Sequence, residues 1–190
     1  MRMKGYCGQY VLKSVLKYYL KKEYSIKKLA KLSEKFAGGF TLTAGLAYAA
    51  LHEGLNVNFL SSSEEINDEN IKKNYRKEKS EVVRVLKRLY KKSKKLGLKY
   101  IRCNPKLEDL TNSLDDGNVI ISVIDYGKIY GINKQIFHFA LLTGYDERNI
   151  YFHDVGPKNP KANKKINKEL FYKAYSAKGT DFDALVLSKR

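Results

Sequence analysis

The sequence predicts an α+β fold in which a helical N-terminal half packs on a mostly antiparallel β-sheet, and three observations lead there. Residues Met1 to Leu20 place Cys7, Tyr10, Val11, Ser14, Val15, Tyr18 and Tyr19 at the i, i+3, i+4, i+7 spacing of one helical face, with Lys13, Lys17 and Lys21 on another. Further segments of helical period fill most of the chain up to residue 115. Beyond Gly117 the pattern changes to β-branched and aromatic runs separated by turn residues. At 190 residues the chain suits one domain, 1–190, with enough length to bury a substantial core.

In order, Ser25 is placed to cap a second helix carrying Ile26, Leu29 and Leu32, which Gly38 and Gly39 are expected to end. Thr41 or Thr43 is placed to cap a third, small-residue helix that stops at Gly54, and Leu55 to Phe59 alternate as a short strand. Ser61 to Asn70 is polar and reads as a loop. From Ile71 to Leu96 the helical period returns, with Val82, Val85, Leu86 and Leu89 on one side and Arg84, Lys87, Arg88, Lys91, Lys94 and Lys95 on the other. Leu98 to Arg102 reads as a strand broken by Asn104-Pro105, and Leu107, Leu110 and Leu114 mark a short helix ended by Asp115-Asp116-Gly117. Val119 to Asp125 and Ile136 to Gly144 read as strands. Asp146 to Asn149 supplies a turn into a third, Ile150 to Asp154. A helix over Asn167 to Ala174 and a strand over Ala184 to Leu187 close the chain.

Composition bounds the function. Two cysteines give no disulfide framework, so a reducing, cytoplasmic setting is expected, and the longest apolar run is far too short to span a bilayer. Two cysteines and three scattered histidines show no zinc-ligand spacing. The formal charge of +17 suits a polyanion partner along the Lys/Arg-rich helix near 84–95, whether nucleic acid, acidic lipid or acidic protein. A solvated lysine-rich surface is the plainer account, because lysine far outnumbers arginine and that helix shows neither a clear interleaving of aromatics nor a clear arginine-rich face.

Three residues carry candidate chemistry. Cys7 stands in the first turn of its helix, where unpaired amides and the helix dipole favour an anion and so a thiolate. Cysteine nucleophiles need a nearby base and a third group to orient it. His138 lies in the run Phe137-His138-Phe139, and the turn at Asp146 to Asn149 brings Asp154 back toward it across a hairpin. Of the remaining candidates, Cys103 reads as structural, His153 as facing away from Asp154's side of its strand, and His52 as a surface residue at a helix end.

A cysteine at a helix start, packed on a sheet that carries a histidine and then a carboxylate, is the papain-like layout. The segments Cys7-Gly8, GFTLTAGLAYAALHEGLNV, LEDLTNSLDDGNVIISVID, HFALLTGYDERNIYFHDVGP and INKELFYKAY together resemble the C39-like peptidases, in that family's order. The resemblance implies a papain-like cysteine peptidase fold and a cysteine peptidase or related amide hydrolase or acyl-transfer enzyme acting on a peptide or protein. It implies a triad of Cys7, His138 and Asp154, an acyl-enzyme, and no metal or organic cofactor. Two departures stand out. The place about six residues before the cysteine, where the family carries an oxyanion glutamine, is held by Met1. That leaves an upstream start, a substitute donor, or a weakened papain-like binding module as alternatives. The other departure is Asp154-Val155-Gly156-Pro157 in place of Asp-Pro.

Overall fold

The computed structural model describes residues 5–36, 39–63, 80–155 and 161–190. Its centre is a seven-stranded sheet built from β1 (Leu55–Ser61), β2 (Lys99–Arg102), β3 (Val119–Asp125), β4 (Phe137–Tyr145), β5 (Asn149–Asp154), β6 (Lys161–Asn167) and β7 (Ala184–Lys189). The strand order is β2-β1-β7-β3-β4-β5-β6, and every pairing is antiparallel except β1 with β2. The sheet is thus mostly antiparallel, as expected, but β1 and β2 of the first half join it at one edge.

Alternation along the central strands divides the apolar residues between two faces. Ile121, Val123, Phe139, Leu141, Leu185 and Leu187 look toward α1 (Cys7–Leu20), α3 (Thr43–His52) and α4 (Ser80–Lys95), whose Val11, Leu12, Val15, Leu16, Leu46, Ala50 and Leu89 are buried with them. On the opposite face Ile120, Ile124, Ala140, Leu142, Ile150 and Phe152 meet Leu110 of α5 (Leu107–Asp115) and Phe171, Ala174 and Tyr175 of α7 (Lys168–Tyr175). Each buried aliphatic or aromatic side chain contributes roughly 1.5–3 kcal/mol, so both faces stabilise the sheet that carries the site.

Several expectations shift in detail. The buried face of α1 is Gly8, Gln9, Val11, Leu12, Val15 and Leu16, turned by about one residue from the expected one, and Tyr18 is 59% exposed. Leucine outcompetes tyrosine for the interior, since the tyrosine hydroxyl must find a partner wherever it is buried. Helix α2 (Ile26–Leu32) has Ser25 as its cap, the hydroxyl accepting from the amide of Lys28, but ends at Leu32, before the glycines. Neither Thr41 nor Thr43 caps α3. Leu42 holds the cap position, and the Thr43 hydroxyl instead donates to Asp183 Oδ2 at 2.6 Å. Two elements had no counterpart in the sequence reading: the short helix α6 (Tyr126–Tyr130) and the polar edge strand β6. The Ile71–Lys79 part of the basic helix, most of the 61–70 loop, Met1, Gly38 and Gly156-Pro157 lie outside the described residues.

Candidate active site

Helix α1 opens on Cys7, with Tyr6 at its cap position and no side-chain cap hydrogen bond. It is held at that end by Gln9, whose side chain is fully buried and donates to Ser33 Oγ at 2.8 Å and Thr41 Oγ1 at 2.9 Å. That glutamine therefore anchors the helix and is turned away from the cysteine. Gly8 serves close packing: a Cβ there would lie 2.9 Å from Leu46 Cδ1 and 3.1 Å from Phe139 Cδ2. Its missing side chain admits the neighbouring helix and strand.

The start of β4 and the ends of β3 and β5 lie at one end of the sheet, because β3 and β5 both run antiparallel to β4. With Leu141 opposite His153, the register makes Asp154 the diagonal neighbour of His138 on the same face. His138 Nε2 lies 3.7 Å from Asp154 Oδ1, and Nε2 has no hydrogen-bond partner among the described residues. Both residues are buried. The ring of Tyr126 meets His138 edge-on at 5.2 Å between centroids and packs on Tyr130 at 4.2 Å. Tyr130 donates its hydroxyl to Asp154 Oδ2, Lys164 donates to Tyr130, and Lys164 Nζ stands 3.5 Å from Asp154 Oδ2.

Cys7 reaches this end of the sheet from the other face. It packs with the α1 side of the core, and the main chain of Phe139, the residue after His138, hydrogen-bonds its sulfur. Burial pushes the thiol above its ordinary value. Hydrogen bonds from the main chain of Phe139, Gly8 and Cys7, with the charge of Lys35, oppose that shift and are outweighed. The helix start was expected to make the thiol more acidic, but loss of water around the sulfur is the larger effect. Burial likewise pushes His138 below its ordinary value, against the charge of Asp154. Both directions favour the neutral forms of thiol and imidazole, and among the described contacts none joins Cys7 to His138: the structure brings His138 and Asp154 together and leaves Cys7 on the α1 side of the same sheet end.

His153 and His52 fall where the sequence places them. His153 sits on the opposite strand face, its Nδ1 accepting from the amide of Asn163 at 3.0 Å. His52 is exposed beside Glu53. Cys103 is a free thiol on the second face of the sheet, raised mainly by burial. Missed were Tyr126, Tyr130 and Lys164. Asp125 ahead of Tyr126-Gly127 was a readable cap for α6, since its Oδ1 accepts from the Gly127 amide. Lys164 carried no signal, sitting in a polar strand with no apolar alternation.

A helix that opens on a cysteine, laid on an antiparallel sheet whose end presents a histidine and a carboxylate, has the architecture of the papain-like cysteine peptidases. The model of the Peptidase C39 like family matches residues 36–175, well over half of the chain, and the chain belongs to that family. The matched stretch includes His138 and Asp154 and begins after Cys7. Among solved structures, the chain is similar to the peptidase domain of Streptococcus ComA, a bi-functional ABC transporter involved in a quorum sensing pathway. Identity there is 20%, the match covers 98% of this chain and 93% of that one, and the TM-score is 0.56. A Bacillus anthracis protein described as a C39-like peptidase matches at 20% identity over 45% of this chain and 48% of its own, with a TM-score of 0.35, too partial an overlap to bear on the fold. No curated protein sequence matches. Among the described residues no helix is long and apolar enough to cross a membrane.

Proposed function

We propose that the chain is a cysteine peptidase, or a related thiol-dependent amide hydrolase or acyl-transfer enzyme, with Cys7 as nucleophile, His138 as base and Asp154 as the group that orients the base. The observation that supports this most directly is the buried approach of His138 Nε2 to Asp154 Oδ1 at 3.7 Å, at the sheet end where Cys7 meets the main chain of Phe139. With Nε2 turned to the carboxylate, Nδ1 is the nitrogen left to take a proton. The Cys7 thiol gives its proton to His138 as the sulfur attacks the substrate carbonyl, and the first-turn amide of Cys7 donates to the developing oxyanion. The tetrahedral intermediate collapses with departure of the amine, which takes the proton back from the imidazolium. An acyl-enzyme remains, and water, activated by the same imidazole, releases the acid. Proton transfer during attack fits a pair whose resting form is neutral. Both cysteines are free thiols, which suits a reducing compartment such as the cytoplasm.

The test is active-site labelling of the nucleophile. Incubation with a peptidyl chloromethyl ketone should alkylate Cys7 alone by peptide mapping, with chloride leaving, Cys7→Ala should abolish hydrolysis of a peptide library, and His138→Ala should slow modification of Cys7. Modification spread equally over Cys7 and Cys103 and indifferent to His138 would remove the enzyme reading.

A second reading has its own support. Arg84, Lys87, Arg88, Lys91, Lys92 and Lys95 line a shallow depression of about 460 Å³ along α4, with Glu34 bonded to Arg88 and Lys92. A basic face of this kind fits a weakened papain-like module that holds an acidic partner. Binding of a polyanion that weakens steeply with salt and is lost in Arg84→Glu/Lys91→Glu, together with no thiol-dependent turnover, would favour this second reading.

A further inference from the structure

Asp154 has two oxygens with different neighbours. Oδ1 faces His138, while Oδ2 receives the Tyr130 hydroxyl and lies 3.5 Å from Lys164 Nζ. The Lys164 ammonium also donates to the Tyr130 hydroxyl and lies 4.1 Å from the centre of that ring. The carboxylate side chain is 0% exposed and the lysine side chain 21%, so the ammonium is drawn inward from the edge strand to a carboxylate that water does not reach. A buried carboxylate requires such partners. Its hold on an imidazolium, however, depends on how much of its charge another cation already offsets.

We propose that Lys164, held in place by Tyr130, is the counter-charge of Asp154 and sets the base strength of His138. It rests on the reading of His138 as the base. Lys164 and Tyr130 act through Asp154 and touch no reacting atom, so they are positioning residues. With the lysine present, the negative charge of Asp154 is shared between Nζ and the imidazole, and the imidazolium is less favoured than it would be beside an unshared carboxylate. Among the described residues, Lys164 is the cation that the structure places at Asp154 Oδ2. Tyr126 and Tyr130, from α6, present neutral phenols. From β3, Asp125 is engaged by the amides of Gly127 and Ile136. On β5, His153 faces away toward the amide of Asn163. From β6, Lys161 pairs opposite Asp154 in the sheet and is exposed to water, whereas Lys164 is drawn inward.

The test is a titration of the His138 imidazole by NMR in the full chain, its signal identified by loss in His138→Gln. Lys164→Gln and Lys164→Met, each checked for a cooperative melt, should raise the His138 midpoint by about half a pH unit or more, and Lys164→Arg should restore it. An unchanged or lowered midpoint in either folded variant overturns the proposal, even if hydrolysis persists. Because this readout needs no turnover, a raised midpoint in a chain whose Cys7→Ala variant loses nothing would uphold the counter-charge while removing the peptidase reading.

Discussion

At the scale of single residues, the site is a contest between burial and charge, and its outcome fixes how activity should depend on pH. His138 lies below its ordinary value of 6.5 because burial disfavours the imidazolium more than Asp154 favours it. A base is competent when deprotonated, so the acid limb of kcat/KM should fall below pH 6.5, as read from hydrolysis across a pH series. Asp154→Asn removes the charge that raises His138. The acid limb should then move to still lower pH while kcat falls by about 10²–10⁴, because the imidazolium formed during attack loses its partner. An acid limb that moves upward in that variant would contradict the role given to Asp154. On the thiol side burial raises Cys7, so its alkylation should continue to accelerate as pH rises above neutrality.

At the scale of elements, the position of α3 decides whether that end of the sheet is built. Its Gly45 passes so close to the end of α2 that a Cβ there would lie 2.1 Å from the carbonyl oxygen of Ser33. Gly45→Ala gains about 1 kcal/mol in helix propensity but forces two backbones apart. A net loss of roughly 2 kcal/mol or more is expected by denaturant titration. The same helix start carries a pH response. Asp183 accepts from Thr43 and, at 2.7 Å, from Ser61, and burial pushes its carboxyl up from 3.8 to about 7. A carboxyl whose folded value is raised contributes stability in full below about pH 4 and loses it as pH climbs to about 7. Wild-type stability should therefore fall across that window relative to Asp183→Asn, by on the order of 2–4 kcal/mol, in paired melts. None of this was legible in the sequence, since it depends on contacts between β7, β1 and α3 that no local pattern encodes. The strands β3, β4 and β5 were readable because β-branched and aromatic runs ended in turn residues, and that hairpin supplied His138 and Asp154. Strand β6 was unreadable for the opposite reason: as a lysine-rich edge, five of its seven residues, Lys161 to Asn163, Lys165 and Asn167, face solvent, and such charge is how exposed edges are kept from pairing further. Its one inward lysine, Lys164, was hidden with it.

At the scale of the whole molecule the dominant fact is the net charge of +17. Self-repulsion of that size destabilises the compact state, and it is screened as the Debye length shrinks from about 30 Å at 0.01 M salt to about 8 Å at 0.15 M. The midpoint of thermal unfolding should therefore rise between those two salt concentrations. The distribution of charge sharpens the expectation. Six cations line one depression on α4, with the Glu34 carboxylate bonded to two of them. If that face acts as an anion site, phosphate should raise the midpoint further than chloride at equal ionic strength, because binding to the folded state adds to screening. General screening alone would make the two salts equal. Arg84→Glu/Lys91→Glu lowers the net charge by four, from +17 to +13, and should flatten the chloride response as well as remove the phosphate increment. A wild-type midpoint that does not rise with chloride would mean that the lysines are spread widely enough for repulsion to be negligible. A phosphate increment that survives the α4 substitutions would place the anion site elsewhere on the molecule.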